Sequence, residues 1–385
     1  MNKALSLTLI FLISASFLLV FSPVSASELV EDSWNTKTPR PVNTPSMPSG
    51  ETVVLDNKIY IIGGDPTLVY DPKTDVWTTL ASIPTPRTSP LVAVYQGKIY
   101  CISGHVENYN SVIVYRYVNT VEAYDPINDS WSKKVAVPIA VESVIPPIQI
   151  GVVDDQLFAI GLNGELYQYS PSADKWSSKA SLSVEATYMQ VYALNNQLFV
   201  ITKNGEITEM HMYNPVLNIW TKKANPPLTV YSFVIVVDDK ILGGHSQSNP
   251  HTNWPELGLS IYDSTTDIWS EANPSPPVRR FHHSQSVGVT SGIYAPKRLY
   301  VFGQEQLDLN TFQTFTWAYN PEDNTWSTSK TIPDSYRPSF GHLIAVVEDT
   351  FYMGTFYNAQ YDPNLGMQYL PIGVQYVPIG YSYHE

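Results

Sequence analysis

The sequence predicts an all-β protein assembled from repeated four-stranded units. Three observations carry that prediction: a Tyr-Asp-Pro motif with Trp seven positions after the Tyr keeps returning, its spacing stays at about 50 residues, and a hairpin pattern closing on Gly precedes each copy. Self-similarity at such a period marks propellers and related arrays, in which one supersecondary unit cannot bury its apolar face alone.

The hairpin comes first in each unit. An apolar run, a polar pair and an apolar-aromatic run appear in LDNKIYIIGG ending at Gly64, YQGKIYCISG ending at Gly104, VDDQLFAIG ending at Gly161 and LNNQLFVITKNG ending at Gly205. Further copies run through Lys240 to Gly244, Arg298 to Gly303 and Phe351 to Gly354. Short β-rich runs joined by Asp-Asn, Gln-Gly or Asn-Asn read as two-residue hairpins, here strands a and b.

After a variable loop, strand c enters the repeated motif and strand d opens with its Trp. The copies are YDPKTDVW from Tyr70, YDPINDSW from Tyr124, YSPSADKW from Tyr169, YNPVLNIW from Tyr213, YDSTTDIW from Tyr262, YNPEDNTW from Tyr319 and the weaker YDPNLGMQY from Tyr361. Pro and Asp suit the c–d turn, where φ is preset and a side chain bonds local backbone. Tyr and Trp suit packing between sheets, where large aromatics bury the most area. The motif therefore reads as architecture, one copy per unit.

These residues resemble the kelch repeat, with its Gly-Gly after strand b and its spaced Tyr and Trp; Gly63-Gly64 and Gly243-Gly244 keep the doublet intact. The resemblance covers residues 34 to 370 and implies a kelch-type β-propeller of seven four-stranded blades, with six as the alternative. Closure stays open at this stage. DSWNTKTPRP around Trp34 resembles a strand d without a hairpin, and GMQYLPI in the last unit competes for the same place.

The expected domains are a signal peptide over 1–26, a propeller over 27–372 and a C-terminal tail over 373–385. The signal reading rests on Lys3, an apolar run from Ala4 to Phe21, and Val24-Ser25-Ala26 before the expected cut. The run approaches the length of a membrane span, so an uncleaved anchor is the alternative. Either way the expected location is secreted or cell-surface, with no membrane insertion after cleavage.

Composition narrows the partners. A hydrophobic content of 43% and a charged content of 15% describe a chain able to bury a large core. The net charge of −13 becomes one unit more negative once Lys3 is removed, which argues against nucleic acid. One cysteine, Cys101, excludes an intrachain disulfide. We expect a monomer without cofactor or metal.

In such a blade the d–a and b–c connections emerge on one face, where loops on a rigid scaffold usually carry function. Residues about ten or eleven after each strand d Trp should ring that mouth: Arg87, Glu142, Thr187 with Tyr188, Tyr231, Arg280 and Arg337. Arg40, Arg87, Arg280 and Arg337 fall on one arc and suit a carboxylate or sulfate, with Tyr188 and Tyr231 available to stack on a sugar. An arginine here also resembles the kelch pattern's structural Arg, which bonds carbonyls between blades. His105, His245, His282, His283 and His342 belong to the same face, but none has zinc-motif spacing.

Some kelch propellers are enzymes, such as copper radical oxidases and sialic acid mutarotases, so a carbohydrate-active enzyme is the alternative function. The oxidase chemistry needs Cys joined to Tyr, and no Tyr-His pair stands at the start of an inner strand. The primary expectation is a non-catalytic module binding a glycan, a peptide or a surface protein. Finally, Asn128-Asp129-Ser130 matches an N-glycosylation acceptor on a turn.

Overall fold

The computed structural model describes residues 31–41, 51–108, 114–141, 146–228, 233–248, 255–273, 286–306, 312–331, 343–362 and 366–382. Glu31–Glu385 form one compact unit. The described residues are all β apart from turns and loops, and no helix among them is long and apolar enough to cross a membrane.

Seven antiparallel four-stranded sheets form the blades. Blade 1 is β2 (Glu51–Leu55), β3 (Lys58–Ile62), β4 (Leu68–Asp71) and β5 (Val76–Thr79). Blade 2 is β6 (Leu91–Tyr95), β7 (Lys98–Ile102), β10 (Val121–Asp125) and β11 (Ser130–Lys134). Blade 3 is β12 (Ile148–Val153), β13 (Gln156–Gly161), β14 (Leu166–Ser170) and β15 (Lys175–Ser178). Blade 4 is β16 (Tyr188–Leu194), β17 (Gln197–Asn204), β18 (Ile207–Asn214) and β19 (Ile219–Lys223). Blade 5 is β20 (Phe233–Val237), β21 (Lys240–Ser248), β22 (Pro255–Asp263) and β23 (Ile268–Glu271). Blade 6 is β24 (Ser286–Val289), β25 (Leu299–Gln306), β26 (Phe312–Asn320) and β27 (Thr325–Ser329).

Blade 7 settles the closure. Its strands are β28 (Leu343–Val347), β29 (Thr350–Asp362), β30 (Gly366–Val377) and, outermost, β1 (Ser33–Lys37) from the other end of the chain. Trp34 lies opposite Tyr376. The seventh Tyr–Trp pair is therefore Tyr376 with Trp34, and the YDPNLGMQY copy at Tyr361 is not the seventh motif. The expected tail needs the same correction, because residues 373–377 lie inside β30 with Val374, Tyr376 and Val377 buried. The self-similar segment QYLPIGVQYVPIG reads as a tail in sequence only because its partner strand is more than 300 residues away.

The innermost strands β2, β6, β12, β16, β20, β24 and β28 neighbour one another in cyclic order and close the propeller. Seven clusters of buried apolar side chains correspond to the seven seams between adjacent blades. Most a–b turns take two residues with positive φ, such as Asp56-Asn57, Asp154-Asp155 and Asn195-Asn196, the primed geometry that matches strand twist.

One hydrogen-bond clamp repeats at every seam. The motif's sixth residue is Asp75, Asp129, Asp174, Asn218, Asp267 and Asn324 in blades 1 to 6, and Asp32 takes that place in blade 7; all seven sit at positive φ, where Asp and Asn are tolerated best. Each accepts the hydroxyl of its seam tyrosine at 2.6–2.9 Å. Each also accepts a backbone N–H from the preceding blade: Thr38, Ala81, Val135, Ala180, Ala224, Asn273 and Lys330. The carbonyl of that same residue accepts the indole N–H of the strand d Trp at 2.7–3.1 Å. Burial, then the hydrogen bond to Asp, pushes the phenols of Tyr70, Tyr124, Tyr169 and Tyr262 far up, so they remain donors.

Candidate functional site

Strand direction puts the d–a and b–c connections of every blade on one face, the mouth, and the a–b and c–d turns on the other. The mouth half of the seam between blades 1 and 2 is built around Arg87. Its backbone N–H donates to the Gly63 carbonyl at 2.9 Å. Nη1 reaches Glu122 Oε2 at 2.6 Å and the Thr85 carbonyl at 3.1 Å, while Nη2 donates to the Cys101 carbonyl at 2.7 Å. The Thr85 hydroxyl completes the cage on Glu122 Oε1 at 3.0 Å.

This ion pair is fully removed from water, with side-chain exposures of 0% for Arg87 and 1% for Glu122. Paired and hydrogen-bonded charge is the form in which ions survive burial. Arg87 thus ties its own loop to blade 1 through Gly63 and to blade 2 through Glu122 and Cys101. Gly63 itself has φ +108, and a Cβ there would come within 3.0 Å of the Arg87 carbonyl, so the first Gly of the doublet permits the approach. Cys101 is buried in the same seam with Tyr60, Ile62 and Ile99. Desolvation pushes its thiol up to about 12, so it packs as a small hydrophobe.

His245 occupies the mouth half of the seam between blades 4 and 5. It lies opposite Gly258, where a Cβ would fall 2.0 Å from the imidazole. Nε2 is 3.3 Å from Glu271 Oε2, and the buried Ser260 hydroxyl donates to Glu271 Oε1 at 2.6 Å. Tyr188 starts β16 opposite Lys203 and is 49% exposed. Strand alternation gives it the same sheet face as Tyr192, which packs into the blade 4–5 seam. Tyr188 and His245 therefore share a seam, and Arg87 lies three seams away.

Glu142, Tyr231, Arg280, Arg337 and His282, with His283 and His342, lie outside the described residues. Arg40 is buried, and desolvation lowers its pKa to about 10. His105 roots an extra hairpin, β8 (His105–Asn108) with β9 (Val114–Tyr117), through paired backbone bonds to Thr88. The connection between β7 and β10 therefore contains strands of its own.

Among the residues that sequence reasoning passed over, Glu122, Ser260 and Glu271 are the partners that hold Arg87 and His245. Glu122 had a signal: a carboxylate two positions before the seam tyrosine, on a strand face that must be buried.

A family model described as Kelch motif matches residues 86–134. Together with the seven blades, this decides the assignment. The chain is a kelch-repeat propeller. Its kelch relatives include Kelch repeat and BTB domain-containing protein 8 of Rattus norvegicus, 28% identical over 48% of this chain and 31% of the relative. Kelch-like protein 35 of Mus musculus is 23% identical over 58% of this chain and 40% of its own length, and Kelch-like protein 36 of Mus musculus is 24% identical over 53% and 34%. Each match spans less than half of the relative. The solved chain titled "Structure of YjhT" superposes with a TM-score of 0.52 at 14% identity, covering 74% of this chain and 99% of that one, a likeness of fold alone. The matched repeat contains Arg87, Cys101 and Glu122, so the ion pair lies within it.

Proposed function

We propose that this kelch propeller is an exported, non-catalytic interaction module that holds a protein or peptide partner on its mouth face. One observation carries the reading. The repeated motif is consumed by the clamps on the turn half of the seams, whereas the mouth carries exposed Tyr188 and Ile207 on blade 4, 49% and 65% accessible, and the rooted hairpin of β8 and β9 on blade 2. A kelch fold is consistent with a protein-interaction module, and exposed aromatic and aliphatic side chains on rigid elements are the usual anchors of such contacts.

The test is the melting temperature of the full chain against a peptide array, with neutral and acidic sugars as a second panel. A partner at about 100 times its dissociation constant stabilises the fold by about 2.7 kcal/mol. A peptide-induced rise that a Tyr188→Ala, Ile207→Ser double variant abolishes, while its own unliganded melting point stays unchanged, supports the proposal. A rise with sugars alone replaces the partner class, and a peptide rise that survives the double variant removes these two residues from the contact.

A further inference from the structure

From the turn face of blade 2 we infer that Asn128 is an acceptor for an N-linked oligosaccharide. Of all the asparagines in the chain, only Asn128 is followed by a non-proline residue and then Ser or Thr; Asn273-Pro274-Ser275 fails on its proline. The inference rests on the export reading above, because glycan transfer takes place beyond the membrane.

The structure supplies what the pattern lacks. Asn128 is exposed on the c–d turn between β10 and β11, and Ser130 is exposed at the first position of β11. The turn is held without them: Asp125 Oδ1 accepts the N–H of Ile127 at 3.0 Å, and Asp129 accepts the Tyr124 hydroxyl and the Ala81 N–H. Asn128 contributes one long side-chain bond, Nδ2 to Asp125 at 3.2 Å. Equivalent positions in the other blades are Thr74, Ala173, Leu217, Thr266, Asp323 and, before Asp32 in blade 7, Glu31, so the clamp imposes no side chain there.

A second observation points to cover at this place. Ile127, next to the acceptor, is 91% exposed, the highest value among the exposed large hydrophobic side chains of the described residues. A sugar chain leaving Asn128 would shield it, which gives a reason for an aliphatic residue on so exposed a tip.

The transfer balances with one co-reactant, a lipid-linked glycosyl diphosphate. Asn128 Nδ2 bonds to the anomeric carbon, the carbon–oxygen bond to the diphosphate breaks, the amide loses one proton and the lipid diphosphate leaves.

The experiment is production of the full chain in a eukaryotic secretory host, with intact mass before and after enzymatic release of N-glycans. The expected result is a glycan mass on the secreted protein, absent from Asn128→Gln and Ser130→Ala and restored by Ser130→Thr. If the chain stays inside the cell, residues 1–26 are exchanged for the host's own leader. A glycan on that secreted form then upholds the acceptor while export by its own leader fails. Secreted protein with unmodified Asn128, from either leader, overturns the inference.

Discussion

Each seam of this propeller has two halves built on different rules. The turn half is the same seven times: Tyr hydroxyl to Asp or Asn, that side chain to a backbone N–H of the preceding blade, and Trp indole back to the same residue's carbonyl. The mouth half changes at every seam. Two residues before the seam tyrosine stand Leu68, Glu122, Tyr167, His211, Ser260, Trp317 and Val374 around the ring. Glu122 takes an arginine, Ser260 shares Glu271 with His245, and Trp317 stacks on Phe315 at 4.1 Å. The turn half is fixed because one geometry must tile a closed ring. The mouth half needs only to be filled and satisfied, so it is free to differ from blade to blade and to carry recognition.

The largest effect should come from breaking one mouth half. Arg87→Ala leaves Glu122 buried and uncompensated, and should cost about 3–5 kcal/mol in urea unfolding. Combining it with Glu122→Leu gives this seam the residue that blade 1 uses at Leu68, and should recover most of the loss. Equal stability of the single and double variants would mean that the ion pair is not what fills the seam.

A smaller effect tests the sameness of the turn half. Asn218→Ala removes the acceptor of the Tyr213 hydroxyl and the Ala180 N–H and should cost about 2 kcal/mol, at about 1 kcal/mol per bond. Asp32→Ala breaks the same two bonds with Tyr376 and Lys330. There β1 is the outermost strand, paired with β30 alone in its sheet and tied to blade 6 by this clamp, so we expect faster amide exchange confined to β1 and β30, ahead of global unfolding. Exchange that spreads evenly over all blades would erase the distinction between the closing seam and the others.

The smallest effect is Asp174→Asn, which copies the side chain already used at Asn218 and Asn324, and should stay within about 0.5 kcal/mol at pH 7. The Tyr169 hydroxyl, then the Val135 N–H, hold the Asp174 carboxyl below its usual range. Its contribution is therefore present above the unfolded value of about 3.9 and is lost as pH falls through the lower folded value. Melting curves at pH 7 and pH 3 should show the variant losing less stability than the parent on acidification, and parallel losses would assign the acid sensitivity elsewhere.

Much of the blade was legible in sequence because its devices are local. Two-residue turns at Asp56-Asn57 or Asn195-Asn196 show their positive φ in their composition, and the Tyr-to-Trp interval spans a single c–d turn. The sixth motif residue was visible as well, in every copy from Asp75 to Asn324, but its role as an inter-blade acceptor depends on a neighbour about 40 residues away. Of the candidate site, the sequence placed Arg87, Tyr188 and His245 on the mouth face. It did not give their partners, since Arg87 meets Glu122 across 35 positions and His245 meets Glu271 across 26.

The sequence by itself determined the repeat, the strand chemistry and the kelch resemblance, because each depends on residues within one unit. Only the tertiary structure decided that β1 closes blade 7 beside β30, that Tyr376 rather than Tyr361 is the seventh seam tyrosine, and that Arg87 is buried against Glu122. Those outcomes depend on which strand edge meets which after the ring closes, and contacts between distant segments leave no periodic trace in the chain.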